Sequence, residues 1–106
     1  MTACVVITTC ASETEAKAIA CHLVEQHLAA CVQMFPIRSI YRWQGMIHDD
    51  PEVQLMIKTR EELFGAIEHE IQAHHSYDVP EIILLPIQQG AASYLAWLTA
   101  ETQFEG

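Results

Sequence analysis

The densest run of chemistry-bearing side chains is His69-Glu70-Ile71-Gln72-Ala73-His74-His75, which looks like the zinc-protease HExxH pattern stretched by one residue. The stretch defeats that chemistry. Histidines at i and i+4 differ by only about 40° around a helix and can share an ion, whereas His69 and His74, at i and i+5, differ by about 140°. Glu70 and His74 do share a face, but a glutamate and a histidine four apart ordinarily form a solvated, weakly interacting pair. His74 and His75 fall where the helix should stop, and there partly protonated imidazoles favour the negative end of the helix dipole.

The other candidates are scattered. Cys31 follows Ala29-Ala30 in an apolar stretch, where a thiol ordinarily behaves as a small buried hydrophobe. Cys4, Cys10 and Cys21 lie beside no lysine or arginine that would lower a thiol pKa. Lys58 is either a solvated edge charge or a cleft cation beside Tyr41 and Trp43, and Glu81, next to Pro80, is either an exposed cap or a ligand group facing the same cleft. Tyr77 and the two tryptophans read as packing residues with one satisfied polar tip. No phosphate-cradling glycine loop, Ser-His-Asp order or nucleophile elbow is present, so no catalytic residue is assigned and an enzyme is not expected.

Several elements must position these residues. Cys4-Val5-Val6-Ile7-Thr8-Thr9 is a β-branched run that predicts a central strand. Ser12-Glu13-Thr14-Glu15 has capping-box spacing, and Ala16, Ile19, Ala20, Leu23, Val24 and Leu28 follow on one helical face. The alternation of Ile37, Ser39, Tyr41 and Trp43, and then of Val53, Leu55, Ile57 and Thr59, predicts two long antiparallel strands, with Gly45 and Asp49-Asp50-Pro51 as turn signals. Thr59-Arg60-Glu61-Glu62 repeats the capping-box spacing before a second helix carrying Leu63, Phe64, Ile67, Ile71 and His74. An apolar strand over residues 79–87 and a short terminal helix through Ala91, Tyr94, Leu95 and Leu98 complete the chain.

That order is an α+β, ferredoxin-like βαββαβ sandwich with an extra C-terminal helix, both long helices on one face of an antiparallel sheet. The central strands, over about 31–43 and 46–59, exceed the usual five or six residues, so their tips should overhang the sheet. An overhang carrying Tyr41, Trp43, Met46 and Ile47 needs another chain to cover it, which predicts a homo-oligomer built by edge pairing.

Composition narrows the partners. With 106 residues the chain fits one domain, spanning 1–106, and its 51% hydrophobic content excludes charge-driven disorder. Five Lys and Arg against 14 Asp and Glu give a net charge of -9, which excludes a phosphate-neutralising nucleic-acid surface and repels anionic lipid, while leaving cations open. No membrane span is present in the sequence. The start lacks a basic signal-peptide region and the four cysteines show no CxxC pairing, so reduced thiols and a cytoplasmic location are expected.

Several segments together resemble the CutA family of divalent-cation tolerance proteins: Val5-Val6-Ile7-Thr8-Thr9, Leu28-Ala29-Ala30-Cys31-Val32, Ser39-Ile40-Tyr41-Arg42-Trp43-Gln44-Gly45, Ile57-Lys58-Thr59 and His75-Ser76-Tyr77-Asp78-Val79-Pro80-Glu81-Ile82, followed by Pro86-Ile87 and Tyr94-Leu95-Ala96-Trp97. The resemblance runs through nearly the whole chain in the family's order. It implies a homotrimer built like the PII signalling proteins, tolerance of copper and other divalent ions, and no agreed reaction. Carried over by motif, Cys31 matches the family's LAAC cysteine, His75 and Tyr77 its H-P-Y element, Lys58 its K-T element, Glu81 its P-E-I element, and Tyr41 and Trp43 its Y-x-W element.

Two departures stand out. Cys10-Ala11 replaces a common proline and adds a thiol suited to Cu(I), and Ser76 replaces another, loosening His75 relative to Tyr77. The leading reading is a trimeric protein binding copper or another divalent metal through His75, with His74 as an adjacent candidate, and Cys31, with no organic cofactor evident. The alternative is a PII-like signalling module whose intersubunit cleft, lined by Tyr41, Trp43, Lys58, Tyr77 and Glu81, binds a small ligand.

Overall fold

The computed structural model describes residues 2–103. Strand β1 (Ala3–Cys10) leads into helix α1 (Glu13–Glu25), then strands β2 (Cys31–Trp43) and β3 (Met46–Arg60), helix α2 (Phe64–His74), strand β4 (Ile82–Pro86) and helix α3 (Ala92–Glu101). The four strands form one antiparallel sheet in the order β2-β3-β1-β4. This is the expected ferredoxin-like arrangement with an additional terminal helix.

Alternation along the strands decides what faces the helices. Cys4, Val6 and Cys10 of β1 and Leu55 and Ile57 of β3 share one buried cluster with Ile19 and Leu23 of α1 and Ile67 and Ile71 of α2. These residues recur at two-residue steps in the strands and at four-residue steps in the helices, so a single core holds both helices to one sheet face. α3 packs against β1 and β3, with Leu98 fully buried outside that cluster. Arg60 ties its end down by donating from Nε to the Thr102 hydroxyl at 2.9 Å.

The β2–β3 hairpin is the longest feature. Gln44 and Gly45 have φ of 51° and 80°, the paired positive values of a two-residue type I′ turn whose twist suits a hairpin. β1 pairs with β3 only as far as Cys10 opposite Val53, so residues 37–43 and 46–52 extend beyond the sheet as a two-stranded arm. Seven residues at about 3.4 Å each give an arm of roughly 24 Å, consistent with a molecule measuring 44 Å along its longest axis. Ile40, Met46 and Ile47 on this arm are about two-thirds exposed.

Four local expectations are corrected. The Asp49-Asp50-Pro51 cluster is not a turn but lies within β3, opposite Ile40, Ser39 and Arg38. It is tolerated there because β3 has no neighbour on its other edge in the arm, so the missing Pro51 N–H disrupts nothing, and Asp49 and Asp50 accept from Arg38 and Tyr41 across the hairpin at 2.6 and 2.7 Å. α1 stops at Glu25 rather than reaching Leu28. His27 takes a left-handed φ of 59° and the Leu28 amide donates back to the Leu23 carbonyl, a helix-ending geometry that tucks Leu28 into the core.

The second capping box does not form, since Thr59 remains in β3 and its buried hydroxyl donates to the Leu28 carbonyl at 2.7 Å. A 3-10 turn, Glu61–Leu63, starts α2 instead. Finally, β4 begins at Ile82, after Pro80, leaving residues 75–81 as a loop. Replacing Thr59 with valine keeps the shape and removes the bond, so it should cost about 1–3 kcal/mol, read as a lower urea midpoint with an unchanged m value.

Candidate functional site

Three elements converge at one end of the sheet: the last residue of β1, the first turn of α1 and the segment leaving α2. They bring Cys10, Glu15 and His75 together, with one donor atom from each lying within 4.8 Å of the others. The Ser12 hydroxyl caps α1 by accepting from the Glu15 amide at 3.2 Å, as expected. The reciprocal half of that capping box is missing from the bonds Glu15 makes, because its carboxylate turns inward to the thiol and the imidazole. Oε1 of Glu15 lies 3.6 Å from His75 Nδ1 and is buried with no hydrogen-bond partner. A buried, unpartnered carboxylate oxygen is costly, and a cation would satisfy it.

His75 is clamped. Its side chain is fully buried, Nε2–H donates to the Thr9 carbonyl at 2.7 Å, and Nδ1 accepts from the Tyr77 amide at 3.0 Å. A carbonyl accepts and an amide donates, so the two bonds together fix the tautomer with its proton on Nε2. The looser placement expected from Ser76 is therefore not what the fold adopts, since the Tyr77 amide supplies the restraint. Burial, then the charge of Glu15, push the Cys10 thiol up to about 12. Cys4 is pushed up to about 11, again chiefly by burial.

Tyr77 joins this group to a cleft of about 520 Å³. Its hydroxyl donates to Glu52 Oε2 at 2.8 Å, and burial followed by that bond raises its pKa. Tyr41, Trp43, Tyr77 and Glu81 all line this cleft, which lies within the single chain, whereas the expectation was of a cleft between subunits. Lys58 does not. It sits six residues from Glu52 along β3, opposite Val5 and Cys31, and donates to Gln33 Oε1 at 2.9 Å. Without it the lining carries the carboxylates of Glu52, Asp78 and Glu81 and no lysine, arginine or histidine, so the cleft suits a cation or a neutral group rather than an anion.

The three metal ligands expected from the motifs are also separated. Cys31 belongs to neither of the donor groups found among the described residues. Thr9, whose carbonyl holds His75, is level with Gln54 and then Phe35 across the sheet, and Cys31 lies four residues further along β2, about 13 Å at roughly 3.3 Å per residue. His74 turns to a second group, with His22 and Glu70. Of the donors actually gathered around His75, the sequence pointed to the Cys10 thiol as a soft ligand and missed Glu15, whose spacing marks only a helix cap.

These burial differences predict thiol reactivity. At pH 8 the exposed Cys21 and partly exposed Cys31 should react with a thiol reagent in the folded protein, while Cys4 and Cys10 react only after unfolding. Because the folded state holds the Cys4 and Cys10 protons above their ordinary value of about 8.5, their contribution to stability is complete below that pH. It is lost as the pH rises toward 11 and 12. Equal labelling of all four native thiols, or stability flat from pH 8 to 11, would contradict this assignment.

A family model described as CutA1 divalent ion tolerance protein matches residues 4–101. The divalent-cation tolerance protein CutA of Thermus thermophilus is 46% identical over 99 residues, covering 92% of this chain and 96% of the relative. A protein CutA homolog of Xenopus laevis is 50% identical over 91 residues, 85% of this chain and 60% of that longer protein. Among solved structures, the periplasmic divalent cation tolerance protein CutA from Archaeoglobus fulgidus superposes with a TM-score of 0.94 at 38% identity, covering 95% of this chain and 99% of that one.

Proposed function

The chain belongs to the CutA1 divalent ion tolerance family, and from that membership we propose that it contributes to tolerance of divalent metal ions by binding a metal, copper above all, as a cytoplasmic homotrimer without enzymatic activity. The observation that carries this reading is the Cys10–Glu15–His75 group, where the unpartnered Glu15 Oε1 faces a thiol and an imidazole. Thiolate suits Cu(I), while imidazole and carboxylate suit divalent ions, so the set fits copper in either oxidation state. Binding displaces the Cys10 proton and requires His75 to release either Thr9 or Tyr77, so affinity depends on pH and on movement of the loop.

Other features support the remaining parts. The apolar arm of β2 and β3 supports edge-paired association, and the unpaired state of the four cysteines supports a reducing compartment. Within the Cys10 group, the protonated thiol and the committed nitrogens of His75 supply no activated nucleophile. A second reading, a PII-like module with a small ligand in the cleft, is supported by the three aromatic rings lining it, and the carboxylates there restrict that ligand to a neutral or cationic one.

Anaerobic titration tests the metal reading, with Zn(II) followed by calorimetry and Cu(I) by competition against a chelator. Cys10→Ser and Glu15→Gln should each weaken binding by at least about 10–100-fold, the loss expected even for an outer partner of a metal, while Cys31→Ala should not. Equal affinity and stoichiometry in all four proteins would remove the Cys10 group from the site.

A further inference from the structure

The second donor group lies where α1 packs on α2. Leu23 and Ile71 are fully buried in the shared core, so their chain neighbours His22 and Glu70 fall at the edge of the helix seam, and His74 follows Glu70 by one turn. His22 Nε2 is 3.0 Å from Glu70 Oε2, and the His22 and His74 rings are 4.6 Å apart. One nitrogen from each ring and the carboxylate oxygen all lie within 4.8 Å of one another. The His74 Nδ1–H donates to the Glu70 main-chain carbonyl at 2.8 Å, which leaves its Nε2 with a lone pair.

We infer that His22, Glu70 and His74 form a second site for a divalent transition-metal ion, bridging the two helices and separate from the Cys10 group. Two imidazoles and one carboxylate are a ligand set that takes Zn(II), with water completing the coordination. Ligands about 2.0–2.1 Å from a tetrahedral ion sit about 3.4 Å apart. The His22–Glu70 separation of 3.0 Å is already close to that value. His74 Nδ1 lies 3.8 Å from the same carboxylate oxygen, and the side chain, 48% exposed, can give up its bond to the Glu70 carbonyl and turn a ring nitrogen toward the ion. The exposure of all three side chains gives an ion access without opening the core, and no positively charged residue belongs to the group.

Zn(II) calorimetry in the Cys10→Ser background isolates this site. About one Zn(II) per chain should remain, with a higher melting temperature in its presence, and His22→Gln or His74→Gln added to that background should each weaken binding by at least about 10–100-fold. Both histidines are partly exposed, and melting curves without metal establish that the variants fold. Complete loss of Zn(II) binding in Cys10→Ser alone would overturn this second site while leaving the Cys10 site standing. Residual binding unchanged by both histidine substitutions would also overturn it.

Discussion

Replacing His75 with alanine is expected to destabilise the folded chain by about 2–5 kcal/mol, the range for emptying a buried site and leaving polar groups unpaired. The imidazole is fully buried and holds two main-chain groups, the Thr9 carbonyl at the end of β1 and the Tyr77 amide in the loop after α2. Its loss strands both and frees the loop that carries Tyr77, whose hydroxyl then no longer fixes Glu52. Against a total stability of about 5–15 kcal/mol for a domain this is a large fraction. Glu15→Gln, which removes charge but little volume, should by contrast stay within about 1 kcal/mol of the parent. Urea denaturation of both variants checks the pair, and a parent-like midpoint for His75→Ala would show that the clamp carries no stability.

The second large effect concerns association. Ile40 and Ile47 are 72% and 67% exposed on the arm of β2 and β3, left largely uncovered by the described residues. Replacing both with lysine should leave the protomer's fold intact, because neither belongs to its core. In the proposed homotrimer the same change would bury unpaired charge at a cost of several kcal/mol. Light scattering coupled to size exclusion should then fall from about three times the 11.9 kDa chain mass to one. A monomeric parent, or an undiminished mass in the double variant, would contradict the covered-arm account.

Much of the fold is legible because the periodicities are strong and local. The β-branched run of β1, the two alternating strands and the Ile67-Ile71 face each announce their element. Where local rules mislead, a longer-range contact prevails. Thr59 has cap spacing, but its hydroxyl is claimed by Leu28, 31 residues earlier. Asp49-Asp50-Pro51 has turn chemistry, but cross-strand pairing of Asp49 and Asp50 with Arg38 and Tyr41 keeps it extended. Alternation cannot reveal that pairing.

The site is legible one residue at a time and not as a set. Tyr41, Trp43, Tyr77 and Glu81 meet in a cleft of the single chain, whereas Lys58 is carried away by six residues of strand. His75 stands out in the sequence, yet its partner Glu15 looks only like a helix-capping acid until α1 and α2 are placed together. The same holds for Glu70 and His74. As a helical pair they are ordinary, and only the packing of α1 supplies His22. The net charge of -9 per chain, which in the sequence simply excluded anionic partners, gains a local meaning through carboxylates in both donor groups and in the cleft.

An assembly of this chain is expected to hold copper at Cys10, Glu15 and His75. Native mass spectrometry after anaerobic loading with Cu(I) and removal of loosely held ions tests it most directly. The predicted result is a species of about three times 11.9 kDa that retains copper, with Cys10→Ser carrying one copper per chain fewer at the same assembly mass. A parent protein that retains no copper, or a Cys10→Ser protein that retains just as much, would contradict it.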